Sequence, residues 1–338
     1  MSLGALARLV RNAYGRLGLI AGLLLSLLNA APASAKSEKI ALTFDDLPAL
    51  TILADQPYVN YINDAILRGL KRHRFPAIGF VNEGKLDEID RPQQIAILDK
   101  WLRAGMDLGN HTFSHESPND LGARGYIADI ERGEPVTKRL LAEHHKHMRW
   151  FRHPYLETGF PAAEKREIDA WLAQHGYHIA PVTIDADDWE WAEPYDDAIA
   201  RRDEPRRLRI KAQYLEYTER TLDWYRRAAH ALFGRNISYV MLLHATRLNA
   251  DCIDDLAAML RRQRLHAVTL QEAMKDPAYR TPDPYVGKDG IEWLERWSLE
   301  LHRDLPWDSY HEVPEWVHAE YDKVDNDRPT HLSSHADN

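Results

Sequence analysis

The sequence predicts an α/β fold, a distorted (β/α) barrel of about seven parallel strands. From Lys39 onward, short apolar runs that end in Gly or Pro alternate with longer stretches that carry apolar residues at helical spacing. Reactive polar residues follow several of these strands, as they do in barrels whose active site lies at the carboxyl ends of the strands. A helical insertion and a C-terminal helical tail stand outside this alternation.

The first strand is the most clearly marked element. Ile40, Leu42 and Phe44 alternate with small or polar residues, and Leu47-Pro48 stops the run. Further strands are predicted at 76–81, 106–113, 149–155, 177–184, 238–245 and 266–270. Helices are predicted at 59–70, 92–102, 119–148 in two pieces, 161–174 and 250–262.

Two segments do not fit the alternation. Residues 192–235 form a predicted helical insertion that follows closely on Trp189, so we expect it to pack over or beside the site. Its region offers four aromatics that could stack on a ligand or belong to the core: Trp191, Tyr195, Tyr214 and Trp224. The tail 276–338 is expected to form short helices up to about Tyr321 and then to be disordered, and its final histidines, His331 and His335, are not predicted ligands.

Residues 1–35 have the pattern of a cleavable secretory signal peptide. Three arginines precede an apolar run at 17–28 that is shorter than the roughly 20 residues of a membrane span, and Ala33-Ser34-Ala35 is a small-residue cleavage signal. A retained membrane anchor is the alternative. We therefore expect a periplasmic or secreted protein, with a catalytic domain at 36–275 followed by the tail.

The charge balance excludes some partners. Removing the three arginines of residues 1–35, which contain no acid, changes the net charge from -9 to -12. A chain this acidic is a poor ligand for nucleic acid or anionic membranes. Its single cysteine, Cys252, permits no intramolecular disulfide and is expected to be a core residue.

Asp45 and Asp46 are the first candidates for a reactive site. Two carboxylates at the exit of a core strand are costly unless a cation or a reaction requires them, although a lone Asp-Asp pair is more often a turn or a helix cap. His111 and His115 are four residues apart, which on a helical turn puts both imidazoles on one face. With a strand-end carboxylate, two imidazoles can hold Zn²⁺ or another divalent transition ion and leave positions open for water.

Five motifs in this order resemble the polysaccharide deacetylase family, carbohydrate esterase family four, also called the NodB-homology domain. They are Thr43-Phe44-Asp45-Asp46, His111 to His115, Arg152-His153-Pro154-Tyr155, Asp185 to Trp189, and Leu242-Leu243-His244. The resemblance covers about Lys39 to Leu270.

The resemblance implies a role for each matching residue. Asp45 would be the catalytic base oriented by Arg152, and His244 the general acid supported by Asp188. Asp46, His111 and His115 would bind one divalent metal, Zn²⁺ or another transition ion such as Co²⁺. Tyr155 would hold the oxyanion through its backbone N–H, and Trp189 and Leu242 would line the acetyl pocket.

Two departures from the family pattern put the substrate in question. Leu47 stands where a glycine follows the Asp pair, and Leu156 stands where a small residue is usual. Both are expected near the sugar. The predicted activity is removal of N-acetyl groups, or less readily O-acetyl groups, from a glycan. The alternatives are the same barrel acting on another amide or a formyl group, and a barrel that only binds glycan.

Overall fold

Seven parallel strands form a curled sheet that helices surround. The computed structural model describes residues 38–325. The strands are β1 (Glu38–Leu47), β2 (Ala77–Val81), β3 (Asp107–Asn110), β4 (Trp150–Phe151), β5 (His178–Ile179), β6 (Tyr239–His244) and β7 (Leu265–Val268). Their order is β5-β4-β3-β2-β1-β6, and β7 pairs with the first half of β1. All of these pairings are parallel. The predicted distorted barrel is confirmed.

The sheet curls back on itself after β5. The predicted strand 177–184 pairs regularly with β4 only at His178–Ile179, and the chain then crosses to the other side of the barrel. There Ile184 forms a parallel bridge with Met241 of β6, supported by Leu242 N donating to Ile184 O at 2.9 Å. This bridge brings the residues after Ile184 beside the end of β6.

Helices connect the strands in alternation, and each predicted helix is present. They are α1 (Gln56–His73), α2 (Arg91–Arg103), α3 (Pro118–Arg132), α4 (Pro135–Glu143), α5 (Ala162–Gln174), α6 (Asp188–Ala200), α7 (Glu204–Phe233), α8 (Arg247–Arg262), α9 (Leu270–Ala273), α10 (Trp293–Leu301) and α11 (Glu315–Tyr321). Several begin at an aspartate or serine side chain that accepts a hydrogen bond from the first turn, as Asp55 and Asp90 do.

β1 lies at the centre of the core because strands flank it on both sides and helices cover the sheet. Ile40, Leu42 and Phe44 are fully or almost fully buried, and so are the intervening Ala41 and Thr43. A central parallel strand is covered on both faces, so small residues on its second face are buried as completely as the large ones on its first.

The helical segment 192–235 runs along the outside of the barrel. Tyr217 of α7 donates to Asp187, near the carboxyl ends of the strands, while Arg226 pairs with Glu38 at the start of β1. α7 thus supplies the helix of the connection from β5 to β6, and only α6 is additional to the alternation. The four aromatics proposed for stacking are buried, so they belong to the core: Trp191, Tyr195, Tyr214 and Trp224.

The predicted signal peptide and the terminal His331 and His335 lie outside the described residues. Within residues 38–325, no helix has both the length and the apolar character needed to cross a membrane.

Candidate active site and metal centre

The acidic pair leaves β1 through an irregularity that turns both side chains toward one place. Consecutive residues of a regular strand point to opposite faces. The register of β1 against β2 shifts between Phe44 and Leu47, and Asp46 has a φ of 62°. Such bulges re-aim side chains. Asp45 and Asp46 are therefore both buried at the carboxyl end of the sheet.

His111 and His115 lie in a loop directly after β3, which ends at Asn110, so their spacing of four does not reflect a helical turn. The φ of Thr112 is 66° and that of His115 is 59°, which reverses the chain twice within five residues. Positive φ is unfavourable for a β-branched residue such as Thr112, and it persists where surrounding contacts hold it. The loop still brings the two imidazoles together, with ring centroids 4.9 Å apart.

Asp46, His111 and His115 form a cluster that can hold a metal ion. One ligand atom from each lies within 4.8 Å of the others. Asp46 Oδ1 is 3.6 Å from His111 Nε2 and 3.4 Å from His115 Nε2. It is buried, and it accepts no hydrogen bond within the part of the chain that the structure describes. A buried carboxylate oxygen without a donor is costly, and a cation between these three atoms would remove that cost.

The hydrogen bonding of His111 also fits a metal ligand. Its Nδ1 lies 2.8 Å from Arg152 O, which can only accept, so Nδ1 carries the proton and Nε2 presents its lone pair to Asp46. Ligating histidines in proteins commonly donate their second N–H in this way. Burial also lowers the pKa of His111 well below its ordinary value, which keeps the imidazole neutral. The residues thus fit Zn²⁺ or a similar ion.

Asp45 has a different partner, the buried guanidinium of Arg152. Arg152 Nη1 donates to Asp45 Oδ2 at 3.0 Å, while its other nitrogens donate to Ala180 O at 2.9 Å and to Thr43 Oγ1 at 3.1 Å. These bonds fix the guanidinium, and the guanidinium fixes one oxygen of Asp45. The other oxygen, Asp45 Oδ1, accepts no hydrogen bond from residues 38–325. It is the oxygen available for chemistry.

The two neighbouring carboxylates differ in acidity. Burial raises the pKa of Asp45 to about 6 despite the nearby Arg152. Burial acts on Asp46 in the same direction, but His115, Lys85 and His111 outweigh it and lower the pKa of Asp46 below its ordinary value. Paired acids whose environments separate their pKa values are typical of sites that use one as a base and the other as a fixed anion.

His244, the last residue of β6, lies beside Asp45 in the register of the sheet. Its Nδ1 is 2.6 Å from Asp188 Oδ1, and Asp188 Oδ2 accepts from the His244 backbone N–H at 2.7 Å and from Asn249 Nδ2. Burial opposes protonation of His244, but Asp188 outweighs it and raises the pKa of His244 to about 10. The result is an imidazolium held at the carboxyl end of β6.

The remaining predicted site residues lie around this centre. Tyr155 is half-buried, and its ring meets that of His115 edge-on at 4.5 Å between centroids. Trp189 is half-buried in the first turn of α6 and packs against Tyr321 of the tail. Leu242 is buried in β6, paired with Thr43 of β1.

The two departures from the family pattern do not expose bulky side chains to a substrate. Leu47 is fully buried, and a Cβ on Gly79 of β2 would lie 1.9 Å from its Cδ1. Its side chain thus packs in the core between the sheet and the helices and not toward a sugar, which corrects the expectation above. Leu156 is 6% exposed. Neither residue gives a reason to exclude a particular glycan.

Several supporting residues carry no signal in a single sequence. Asn82 donates to His111 O, and Asp129 Oδ2 accepts from the backbone and hydroxyl of Ser114, both at 2.9 Å. Asn249 bridges Asp188 and His244 O. Asn82 lies 29 residues from His111, Asp129 lies 15 from Ser114 and Asn249 lies 61 from Asp188, so only the fold shows these contacts.

Comparison with known families agrees with the motifs. Residues 33–180 match the family model described as Polysaccharide deacetylase. Over this stretch the chain is similar to the polysaccharide deacetylase family. The match contains the acidic pair, the two histidines and Arg152 to Tyr155, and it ends before Asp188 and His244. The sequence matches no curated protein.

Solved structures similar to this chain include a polysaccharide deacetylase and two proteins of carbohydrate esterase family 4. A polysaccharide deacetylase from Bacillus cereus is 16% identical with a TM-score of 0.49, covering 69% of this chain and 91% of that one. A family 4 carbohydrate esterase from Streptomyces lividans is 18% identical at 0.45, covering 70% and 95%. A CE4 family pseudoenzyme from Bacillus anthracis is 17% identical at 0.46, covering 71% and 66%. Likeness at TM-scores below 0.5 says nothing further about this chain.

Proposed function

We propose that this protein is a member of the polysaccharide deacetylase family, and that it is a metal-dependent hydrolase that removes N-acetyl groups from a glycan. One observation carries the proposal. A free carboxylate oxygen on Asp45, a three-residue metal cluster and the protonated His244 meet at the carboxyl ends of neighbouring strands. Amide hydrolysis needs a base, charge stabilisation for a tetrahedral oxyanion, and an acid for the leaving amine.

Each residue has a distinct part in this reaction. Asp46, His111 and His115 would hold the ion, which when bound lowers the pKa of a water from about 15.7 toward 7 and polarises the acetyl carbonyl. Asp45 accepts the proton of the attacking water through its free oxygen, while Arg152 holds the other oxygen still. The Tyr155 backbone N–H donates to the oxyanion.

The leaving nitrogen then takes its proton from His244. Its Nδ1 is engaged by Asp188, so Nε2 is the nitrogen that faces the substrate. With a pKa of about 10, His244 is protonated throughout the neutral range. Trp189 and Leu242 would enclose the acetyl methyl group, which favours acetyl over larger acyl groups.

The decisive experiment measures acetate release from a panel of substrates. The panel contains N-acetylglucosamine oligomers, peptidoglycan fragments, an O-acetylated xylan and an N-formyl sugar. We expect release from an N-acetylated member, loss of activity after chelation, and recovery with Zn²⁺ or Co²⁺. Asp45→Asn is the matched inactive control.

Other outcomes select the alternatives. Formate release without acetate release indicates the formyl hydrolase. Binding of the oligomers with no product from metal-loaded protein indicates a barrel that only binds glycan.

The acidic net charge of the chain supports a glycan over nucleic acid as the partner. The pattern of residues 1–35 supports export to the periplasm or beyond, and amino-terminal sequencing of the protein from envelope fractions tests this.

A further inference from the structure

The loop that follows β4 has a conformation that its own sequence does not favour. Tyr155 has a φ of 55° and Leu156 a φ of 56°, two consecutive side-chain-bearing residues in the left-handed region. Within the loop, Leu156 N donates to His153 O at 3.2 Å and Glu157 N donates to Pro154 O at 3.1 Å. Residues strained in this way keep their geometry where the surrounding structure imposes it.

The C-terminal segment supplies that constraint through a buried guanidinium. Arg296 of α10 is fully buried, and its Nη2 donates to Leu156 O at 2.7 Å. Its Nη1 donates to Thr158 Oγ1 at 3.2 Å and to Asp283 at 3.0 Å, and its Nε donates to Ile291 O at 2.9 Å. The three nitrogens of the guanidinium thus join the loop to the segment 283–296 through hydrogen bonds.

Backbone packing adds a second constraint from the same segment. A Cβ on Gly290 would lie 1.6 Å from Tyr155 O, so only glycine allows this approach. Asn119 Nδ2 donates both to Lys288 O at 2.8 Å and to Glu157 at 2.9 Å. It thus links the C-terminal segment to the other end of the loop. Three independent contacts therefore hold the loop that contains Tyr155.

We propose that Arg296 is a positioning residue, through which the C-terminal segment holds the Tyr155–Leu156 loop in its reactive conformation. The kinetic consequence rests on the proposed function, because it concerns the oxyanion donor of Tyr155. The structural consequence, an ordered loop, does not. The segment after 276 is by this inference part of the catalytic apparatus and not an appendage.

The test compares Arg296→Met with Arg303→Met in the full chain. Arg303 lies in the same segment and also donates to a backbone carbonyl, Leu232 O, but it is exposed and contacts α7 instead of the loop. For Arg296→Met we expect kcat to fall by about 10²-fold, the usual effect of a displacement of about 1 Å at a reacting group. The KM and the bound metal of Arg296→Met should remain near the wild-type values. Arg303→Met should match wild type in kcat, KM and bound metal.

Hydrogen exchange gives a readout that does not depend on activity. The amides of Leu156 and Glu157 should exchange faster in Arg296→Met than in wild type, whereas exchange in β1 should be unchanged. Arg296→Lys keeps the charge but cannot reach all the acceptors at once, so its kcat and exchange should be intermediate. It also provides both readouts if the methionine variant does not fold.

Gly290→Ala perturbs the loop from the opposite side with Arg296 intact, and the same fall in kcat is expected. Unchanged kcat and unchanged exchange in Arg296→Met or Arg296→Lys would overturn the inference, and so would an equal loss in Arg303→Met. If wild type releases no acyl group from any substrate, the proposed function fails and the exchange measurement alone decides the role of Arg296.

Discussion

The pairing of Asp188 with His244 offers a quantitative prediction. The pKa of His244 rises from its ordinary 6.5 to about 10, although burial acts in the opposite direction. A shift of this size corresponds to roughly 5 kcal/mol in favour of the imidazolium. Asp188→Asn keeps the shape of the side chain and removes its charge. Burial, the largest single effect, is then opposed by the smaller effects of Asp46 and Asp45, so we expect the pKa of His244 to fall below 6.5.

The expected loss of activity follows from the protonated fraction. At pH 8, a histidine with a pKa of 6.5 or lower is less than about 3% protonated, so Asp188→Asn should lose at least ~30-fold in kcat. The upper limit is about 10⁴-fold, the span of one acid–base group. A general acid must be protonated, so activity is present below its pKa and lost above it. The alkaline limb should therefore move from near pH 10 to below 6.5, and the loss should shrink as the pH falls from 8 to 6.

The assay combines pH–rate profiles with a direct titration. The pKa of His244 is measured by NMR of the imidazole nitrogens in metal-free protein, for wild type and Asp188→Asn. Asp187→Asn is the control, since this neighbouring carboxylate accepts from Tyr217 instead of His244, and its profile should match wild type. A variant that loses the same factor at every pH, with the limb and the pKa of His244 unmoved, would refute the reasoning.

Four further predictions concern the metal and the base. His111→Ala should purify with little metal under conditions that load wild type, as measured by elemental analysis; equal stoichiometric metal would contradict the ligand assignment. Asp45→Asn should keep its metal and lose ~10²–10⁴ in kcat; loss of metal would mean that the two aspartates exchange roles. The acid limb of the wild-type pH–rate profile should lie at or below pH 6. Asp45 acts as a base only when it is deprotonated, its pKa is about 6, and a bound cation lowers that pKa further. An acid limb that does not move when the metal is replaced would count against this. Gly133→Ala should weaken metal binding, as measured by competition with a chelator. The added Cβ would lie 2.5 Å from the backbone of Thr112, which lies between the two histidines. An unchanged metal affinity would show that the loop can shift without disturbing the ligands.

The sequence by itself determined the order of strands and helices, the reactive residue types and their places at strand ends. Local periodicity carries this information, since alternation in β1 and helical spacing in α8 are properties of neighbouring residues. The sequence was insufficient where the positions of side chains in space had to be inferred from their spacing alone. His111 and His115 are spaced as on a helical turn, but the left-handed Thr112 makes their segment a loop.

Only the tertiary structure decided which of these residues act together and what holds them. The bulge in β1 that turns Asp45 and Asp46 to one side depends on pairing with β2, and the charge on His244 depends on Asp188 from a different segment. Arg296 supports a loop 140 residues earlier in the chain. Contacts between residues far apart in sequence leave no periodic pattern, so they emerge only when packing brings the segments together.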